Sequence, residues 1–217
     1  RGYGFDGEAM QLDWGRLIEA KEVELNRLEG VYKGLLERSG VTMLYGRGTI
    51  VDAHTVAVGD RRYTAKVIKI AVGGWPSLPP GVPGIQHAIT SNEALCLGRL
   101  PDSVVIVGGG YIAVEFAGIF QGFGTETTIA YRADLPLRGF DEEVRQTVAN
   151  NLESRGMRVM SGVNPTKIVK NDDGSLVVSF DGDNEDLVVD EVMWATGRVP
   201  NTDRPDLGLK EVGVELD

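Results

Sequence analysis

The chain has 217 residues, enough for one large domain or for one domain and part of a second. Its formal net charge of −10 argues against nucleic acid or an anionic membrane as the main partner. No apolar run approaches the roughly 20 residues of a membrane span, and the first residues, RGYGFD, are too polar for a signal peptide.

The chain begins with Arg1 and not with methionine, so we expect a fragment or a processed form, with any targeting segment lying upstream. We predict a cytoplasmic protein, with an organelle as the alternative. The single cysteine, Cys96, excludes an internal disulfide and a cysteine-based metal site. It lies in a short apolar stretch, which predicts a buried, unreactive thiol. No metal site is expected, and His54 and His87 have no evident catalytic partner.

The first third of the chain contains one predicted long helix and several short strands. Apolar side chains recur every three or four residues across 12–39, which is typical of an amphipathic helix, and Gly40 can end it. Strand-like runs follow at 41–45, 48–52, 55–58 and 63–72. Three prolines, at 79, 80 and 83, then predict a stiff connector and a change of domain. We therefore divide the chain into residues 1–80, 81–200 and 201–217.

The second part alternates strands and helices. A fully apolar strand at 103–107, a helix at 111–122 and a second strand at 127–131 lead to another helix, which Asp141 caps and Gly156 ends. Three more strands are predicted at 167–170, 176–180 and 187–194, the first two joined by a hairpin turn. This order predicts an α/β fold with a doubly wound, right-handed parallel sheet and an added antiparallel hairpin.

A glycine-rich turn links the apolar strand to the helix after it. Gly108, Gly110 and Ala113 fit the dinucleotide-binding fingerprint, in which Gly108 permits the tight turn and Gly110 lets the backbone approach a pyrophosphate. The pyrophosphate would face the amino end of the helix. The alternative is a glycine turn that serves packing alone.

The end of the next strand indicates which cofactor binds. NAD-binding proteins usually place an acid there to hold the ribose 2′-hydroxyl, but this strand ends in Tyr131 and Arg132, and Arg138 follows. Two guanidinium groups suit the 2′-phosphate of NADPH. The competing interpretation is a surface ion pair between Arg132 and Asp134.

Glu115 lies one helical turn after Tyr111 and Ile112 in an apolar helix, so it shares their ligand-facing side. A carboxylate buried beside a redox cofactor needs a cationic partner, and none is visible in the chain. Either the partner lies outside this chain, which we favour, or Glu115 is exposed.

Several runs resemble the glutathione reductase family of flavin disulfide reductases. They are VGGGYIAVEFAGIF at 107–120, LRGFD at 137–141 and WATGRVPNT at 194–202, with YTAKVIKIAVGG at 63–74 and ITSNEAL at 89–95 upstream. The resemblance is nearly chain-long. It implies that residues 1–80 are part of a split FAD-binding domain, that 81–200 bind NADPH and that 201–217 begin the return to the FAD-binding domain.

The resemblance also implies residue roles. Residues Gly109, Ile112 and Glu115 would contact NADPH, and Glu115 would also pair with a lysine near the redox disulfide. Tyr111 would cover the nicotinamide pocket until NADPH binds, and Gly197 would meet the nicotinamide. The 2′-phosphate would be held by Arg132 and Arg138. Further roles fall on Gly48, which would touch FAD, and on Tyr32, which would contact glutathione disulfide; from its spacing alone, Tyr32 is a core aromatic.

The family's redox cysteine pair would precede Arg1, and its dimerisation domain and catalytic histidine would follow Asp217. We therefore expect a homodimer for the full-length protein, and a chain that binds NADPH without reducing glutathione disulfide by itself. Trypanothione reductase shares the two-arginine arrangement, and Val31 and Tyr32 favour glutathione over it. Dihydrolipoamide dehydrogenase is disfavoured by Tyr131. A free-standing NADPH-binding module without flavin is the third alternative.

Overall fold

A computed structural model describes residues 12–216, which form two compact units. The residues inspected for a signal peptide, 1–6, lie outside this range. The first unit contains residues 12–22 and Pro76–Gly197, and the second contains Val23–Trp75 and residues 198–216. The domain limits predicted above stay a prediction. No helix within residues 12–216 has the length and apolarity needed to cross a membrane.

A four-stranded parallel sheet is the centre of the first unit. Its strands are β5 (Ser103–Val107), β6 (Glu126–Tyr131), β7 (Arg158–Ser161) and β11 (Glu191–Trp194), in the order β11-β5-β6-β7. All three pairings are parallel. The helices α3 (Tyr111–Gly122) and α4 (Glu142–Ser154) connect β5 to β6 and β6 to β7. The predicted α/β fold with a parallel sheet is confirmed.

Side chains of β5 alternate between two cores. Val104 and Ile106 pack with the helices, in a cluster that includes Phe116 and Phe120 of α3 and that we call the helix-side core. Val105 and Val107 point to the opposite face and pack with an antiparallel sheet, the hairpin sheet, in what we call the hairpin-side core. That sheet consists of β8 (Pro165–Lys170), β9 (Leu176–Phe180) and β10 (Leu187–Val189), in the order β10-β9-β8. The parallel sheet is thus covered on both faces, which explains why the four residues of β5 after Ser103 are all apolar.

The strand predicted at 187–194 is two strands in two different sheets. β10 belongs to the antiparallel sheet and β11 to the parallel sheet, and Asp190 separates them. The Asp190 carboxylate accepts hydrogen bonds from the N–H groups of Asp102 (2.8 Å) and Ser103 (3.2 Å). The Asp190 N–H in turn donates to the Ser103 hydroxyl at 3.0 Å. These bonds fix the chain where it crosses between sheets. Strand β7 was not predicted.

The second unit is built around a three-stranded antiparallel sheet. Its strands are β1 (Gly48–Asp52), β2 (Thr55–Val58) and β3 (Arg61–Thr64), paired in chain order. A two-stranded sheet joins β4 (Gly74–Pro76) to β12 (Arg198–Pro200), and short 3-10 helices span Asn201–Asp203 and Pro205–Leu207. The strand predicted at 41–45 is absent, and the one predicted at 63–72 ends at Thr64. Tyr45 and Val67 are among the exposed residues there, and no described strand pairs with residues 41–45 or 65–72.

The long N-terminal helix, α1 (Trp14–Arg38), is confirmed to within two residues of the predicted ends. None of its residues is buried within the described chain, although Leu25 and Leu35 lie on its predicted apolar stripe. Its first turn is anchored in the first unit, where the Trp14 Nε1–H donates to the Leu97 carbonyl at 2.7 Å and the ring packs edge-on against Phe123. The pattern predicts the helix correctly, but its stripe faces no core in residues 12–216.

Cys96 is exposed, so the predicted buried thiol is wrong. A 3-10 turn, Ile85–His87, and the four-residue helix α2 (Ser91–Ala94) precede it. The buried residue of α2 is Ala94, and the chain turns outward at Leu95 and Cys96 directly after it. The apolar neighbours of Cys96 in sequence are therefore not its neighbours in a core.

Candidate functional site

The turn between β5 and α3 requires glycine at its first position. Gly108 has a φ of +137°, and a Cβ added to it would lie 2.3 Å from the Ala195 carbonyl oxygen. The Gly108 N–H donates to the Ala130 carbonyl of β6 at 2.8 Å. Any side chain at this position would displace the backbone of the loop after β11. The turn is therefore packed against both strands that flank β5.

The other two glycines of the turn face different surroundings. A Cβ on Gly109 would lie 3.2 Å from the Tyr131 ring, so this glycine packs against the end of β6. Gly110 is the N-cap of α3, no side chain caps the helix there, and a Cβ on Gly110 would meet nothing within 4 Å. The first turn of α3 also contains no acidic residue. The amino end of α3 therefore offers free N–H groups and a positive dipole to an anion.

The two predicted phosphate-binding arginines lie in the loop of residues 132–140, which we call the arginine loop. Arg132 and Arg138 are both exposed. Neither forms an ion pair with a carboxylate in residues 12–216, and the Arg132–Asp134 pair considered above is not formed. Within the described chain, both guanidinium groups are thus available to a ligand.

The arginine loop contacts the glycine turn directly. The Leu137 N–H donates to the Gly109 carbonyl at 2.6 Å, and Leu137 itself has a φ of 54°. Pro136 is fully buried beside Gly109. From α4, the Arg145 guanidinium donates to the Pro136 carbonyl (2.8 Å) and to the Leu135 carbonyl (3.0 Å). No local pattern marks Arg145 as a site residue, because a basic residue on the exposed face of a helix is usually solvated.

Tyr131 stands where an NAD-binding protein would usually have an acid. It is 5% exposed, and it packs beneath Gly109 with the helix-side core. Burial raises the pKa of the Tyr131 hydroxyl, and the nearby Glu153 carboxylate raises it further. The side chain is therefore an uncharged core residue at neutral pH, and it brings no negative charge to the site.

Three predicted site residues lie at the start of α3. Tyr111, its first residue, is 58% exposed, and Ile112 is partly buried against the helix-side core. Glu115 is exposed and has no ion-pair partner within residues 12–216, so it is not buried inside this chain. Since Tyr111 and Glu115 are four residues apart, their side chains share one face of the helix.

The loop after β11 closes the other side of the glycine turn. The Ala195 N–H donates to the Val107 carbonyl at 2.7 Å. The Trp194 Nε1–H donates to the Thr196 hydroxyl at 2.8 Å, which holds Thr196, the residue after Ala195, in place. A Cβ on Gly197 would meet nothing within 4 Å. Because β5, β6 and β11 are parallel, their carboxyl ends bring the glycine turn, the arginine loop and Gly197 to one edge of the sheet.

The two remaining predicted residues belong to the second unit. Gly48 is the first residue of β1 and pairs with Val58 of β2. Tyr32 is 65% exposed on α1, so the alternative of a core aromatic is wrong for the described chain. Their roles toward FAD and glutathione disulfide stay predictions. No group of three His, Cys, Asp or Glu side chains in the described part could hold a metal ion.

A strand, a glycine turn and a helix in this geometry define a dinucleotide-binding α/β protein, with the site at the carboxyl edge of the parallel sheet. The model of one family, the pyridine nucleotide-disulphide oxidoreductases, matches residues 3–217. The chain belongs to this family.

Curated relatives of the chain include three reductases. A glutathione reductase of Nostoc sp. is 41% identical over 99% of the chain and 46% of its own length. The chloroplastic/mitochondrial glutathione reductase of Pisum sativum is 46% identical over 99% of the chain and 38% of its own length. A trypanothione reductase of Leishmania donovani is 43% identical over 98% of the chain and 45% of its own length. The chain thus spans less than half the length of these relatives.

Among solved structures, the HOCl-induced flavoprotein disulfide reductase RclA from Escherichia coli is similar to this chain. It superimposes with a TM-score of 0.84 at 27% sequence identity, covering 95% of this chain and 47% of RclA.

Proposed function

We propose that the protein is an NADPH-dependent flavoprotein disulfide reductase that reduces glutathione disulfide, and that this chain contains its NADPH-binding part. The observation that carries the proposal is that Arg132 and Arg138, which form no ion pair within residues 12–216, lie on a loop hydrogen-bonded to the glycine turn. The glutathione reductases that match nearly the whole chain support the reaction and the substrate.

The residues of this edge fit NADPH. The open side of Gly110 and the uncapped amino end of α3 suit a pyrophosphate. Arg132 and Arg138 would hold the 2′-phosphate by charge-assisted hydrogen bonds, and Gly109 and Ile112 would line the site between them. The fit rests on two features of the structure: the space beside Gly110 and the free guanidinium groups.

Bound NADPH would supply a hydride to FAD, from which electrons pass to a disulfide. In this proposal the residues of the chain bind and orient the cofactor. Gly197, which has no side chain, leaves room for the nicotinamide, and the exposed Tyr111 covers the pocket until the cofactor enters. Glu115 would pair with a lysine near the redox disulfide, which suits its exposure on the Tyr111 face of α3.

FAD and glutathione disulfide enter the proposal through the second unit. Gly48 would touch FAD and Tyr32 would contact glutathione disulfide, in keeping with the 65% exposure of Tyr32. The chain has one cysteine, so it cannot form the internal redox pair that reduction requires. We therefore expect this chain alone to bind NADPH without reducing glutathione disulfide. We also propose that the full-length protein is a homodimer and is cytoplasmic. Native mass spectrometry of the full-length protein tests the first proposal, and cell fractionation tests the second.

The test is a titration of the chain with NADPH and, separately, with NADH, in which binding is monitored by nicotinamide fluorescence. We expect NADPH to bind at least about tenfold more tightly, since each charge-assisted hydrogen bond contributes roughly 1.5–3 kcal/mol. Arg132→Glu should abolish the preference. The matched control is Arg158→Glu, because Arg158 is an exposed arginine at the start of β7 outside the arginine loop. Equal binding of both cofactors by the unmodified chain would refute the proposal.

A trypanothione-type reductase is the second candidate, and the 43% identity to the Leishmania donovani enzyme favours it. The two candidates share the cofactor and differ in the disulfide substrate. Turnover of the full-length protein with each disulfide in turn distinguishes them. We expect glutathione disulfide to be the better substrate by kcat/KM.

A further inference from the structure

Arg145 of α4 connects that helix to the arginine loop. We propose that Arg145 is a positioning residue for the 2′-phosphate site: by holding the arginine loop against the glycine turn, it sets the preference for a 2′-phosphorylated dinucleotide. This inference rests on the proposed function, and it adds a residue that does not itself touch the cofactor.

The contacts of Arg145 are made with the backbone of the arginine loop. Its Nε donates to the Pro136 carbonyl at 2.8 Å and its Nη2 to the Leu135 carbonyl at 3.0 Å. One planar guanidinium thus bridges two consecutive carbonyl oxygens, which fixes the orientation of that peptide segment. Arg145 is partly buried and forms no ion pair within residues 12–216, so the loop carbonyls are its hydrogen-bond acceptors there.

The arginine loop needs such support because its backbone is strained. Leu137 is the one non-glycine residue with positive φ in the described chain, at 54°. A leucine seldom adopts this conformation, and surrounding contacts must hold it there. On one side, the Leu137 N–H donates to the Gly109 carbonyl, and within the loop the Leu137 carbonyl accepts from the Phe140 N–H at 3.0 Å. On the other side, Arg145 is the side chain that holds the two carbonyls preceding Leu137.

The position of the loop decides where both phosphate-binding groups lie. Arg138 directly follows Leu137, and Arg132 begins the loop. A 2′-phosphate gains most when both guanidinium groups are already in place, because ordering a free loop on binding costs conformational entropy. The glycine turn and the amino end of α3 would bind the rest of the nucleotide without the loop. Loss of Arg145 should therefore weaken binding of the 2′-phosphate selectively.

The experiment compares two probes that differ only by the 2′-phosphate, adenosine 2′,5′-bisphosphate and adenosine 5′-monophosphate, by isothermal titration with the 217-residue chain. Arg145→Met removes the donors but keeps the apolar stem. We expect it to weaken binding of the bisphosphate about five- to tenfold, less than the loss of a direct hydrogen bond from a charged donor, because Arg145 acts through the loop. Binding of the monophosphate should stay within about twofold. Arg145→Lys should restore part of the preference, and the control Arg158→Met should change neither affinity.

The outcomes separate this inference from the proposed function. If the unmodified chain prefers the bisphosphate and Arg145→Met keeps that preference, the role of Arg145 is refuted and the proposed function stands. Equal weakening of both probes, or loss of both with the fold, also refutes it, because Arg145 would then support the whole unit. If the unmodified chain shows no preference for the bisphosphate, the proposed function and this inference both fail.

Discussion

At the residue scale, the glycine turn depends on one backbone position more than on any other. Gly108 combines a φ of +137° with the close approach of the Ala195 carbonyl oxygen, whereas Gly109 and Gly110 lack positive φ. The three glycines of the turn are thus not equivalent in this chain. The first one fixes the fold of the turn, the second packs on Tyr131, and the third leaves space for a ligand.

Gly108→Ala should lower the free energy of unfolding by about 2–4 kcal/mol, because the new Cβ would lie 2.3 Å from a backbone oxygen in a strained conformation. Urea denaturation followed by circular dichroism measures the change. The matched control is Gly118→Ala within α3, where a Cβ meets nothing within 4 Å and alanine should stabilise the helix by roughly 0.5–1 kcal/mol. Equal effects of the two substitutions would contradict the steric argument.

At the element scale, the four-residue helix α2 is too short to be stable by itself and depends on its cap. Thr90 and Glu93 form a capping box, in which the Glu93 carboxylate accepts from the Thr90 N–H at 2.8 Å and from the Thr90 hydroxyl. These hydrogen bonds hold the pKa of the Glu93 carboxyl below its ordinary value. Because the pKa is lower in the folded state, the stabilisation is complete above the pKa of the unfolded chain and is lost as the pH falls through the lower, folded value.

Glu93→Ala should therefore destabilise the protein at pH 7 by about 1 kcal/mol, as other lost caps do. The difference between the two proteins should shrink as the pH falls through the lowered pKa of the native Glu93 carboxyl, because the carboxylate becomes protonated there. Thermal unfolding at a series of pH values measures it. Glu185→Ala is the control, since this exposed carboxylate accepts no hydrogen bond in the described residues and should have little effect at any pH. A difference that persists unchanged in acid would exclude the carboxylate as its origin.

At the scale of the first unit, two cores share one parallel sheet. Ile106 is fully buried on the helix side, and Ile168 of β8 is 3% exposed on the hairpin side. β5 contributes to both cores, and Asp190 links the end of the hairpin sheet to the start of β5. Loss of the helices, or of the antiparallel sheet, would expose the face of the parallel sheet that it covers. We therefore expect the three layers of this unit to unfold together.

Ile106→Ala and Ile168→Ala should each lower the free energy of unfolding by about 2–5 kcal/mol and shift the same transition. Chemical denaturation followed by tryptophan fluorescence is suitable, because Trp194 is 4% exposed within the hairpin-side core. Val188→Ala on β10 is the control: the side chain is 63% exposed, so a change within about 0.5 kcal/mol is expected. A separate, early transition in Ile168→Ala alone would show that the hairpin sheet unfolds independently.

The parallel sheet apart from β7, the hairpin and the glycine turn could be predicted from the sequence, because local patterns encode them. Apolar runs, helical periodicity and a glycine fingerprint each depend on residues close together in the chain. The same locality led to errors. The run at 187–194 is continuously strand-like, yet Asp190 divides it between two sheets through bonds to Asp102 and Ser103, 88 and 87 residues away in sequence.

The surroundings of each side chain depend on the tertiary structure. It placed Cys96 at the surface although its sequence neighbours are apolar, and it left the apolar stripe of α1 without a core in the described chain. It left Arg132 and Arg138 without carboxylate partners in residues 12–216, and it brought Arg145 onto the loop that holds them. Burial and hydrogen bonding depend on residues distant in the chain, so a local pattern predicts an element and its motif but not which groups remain free to bind a ligand.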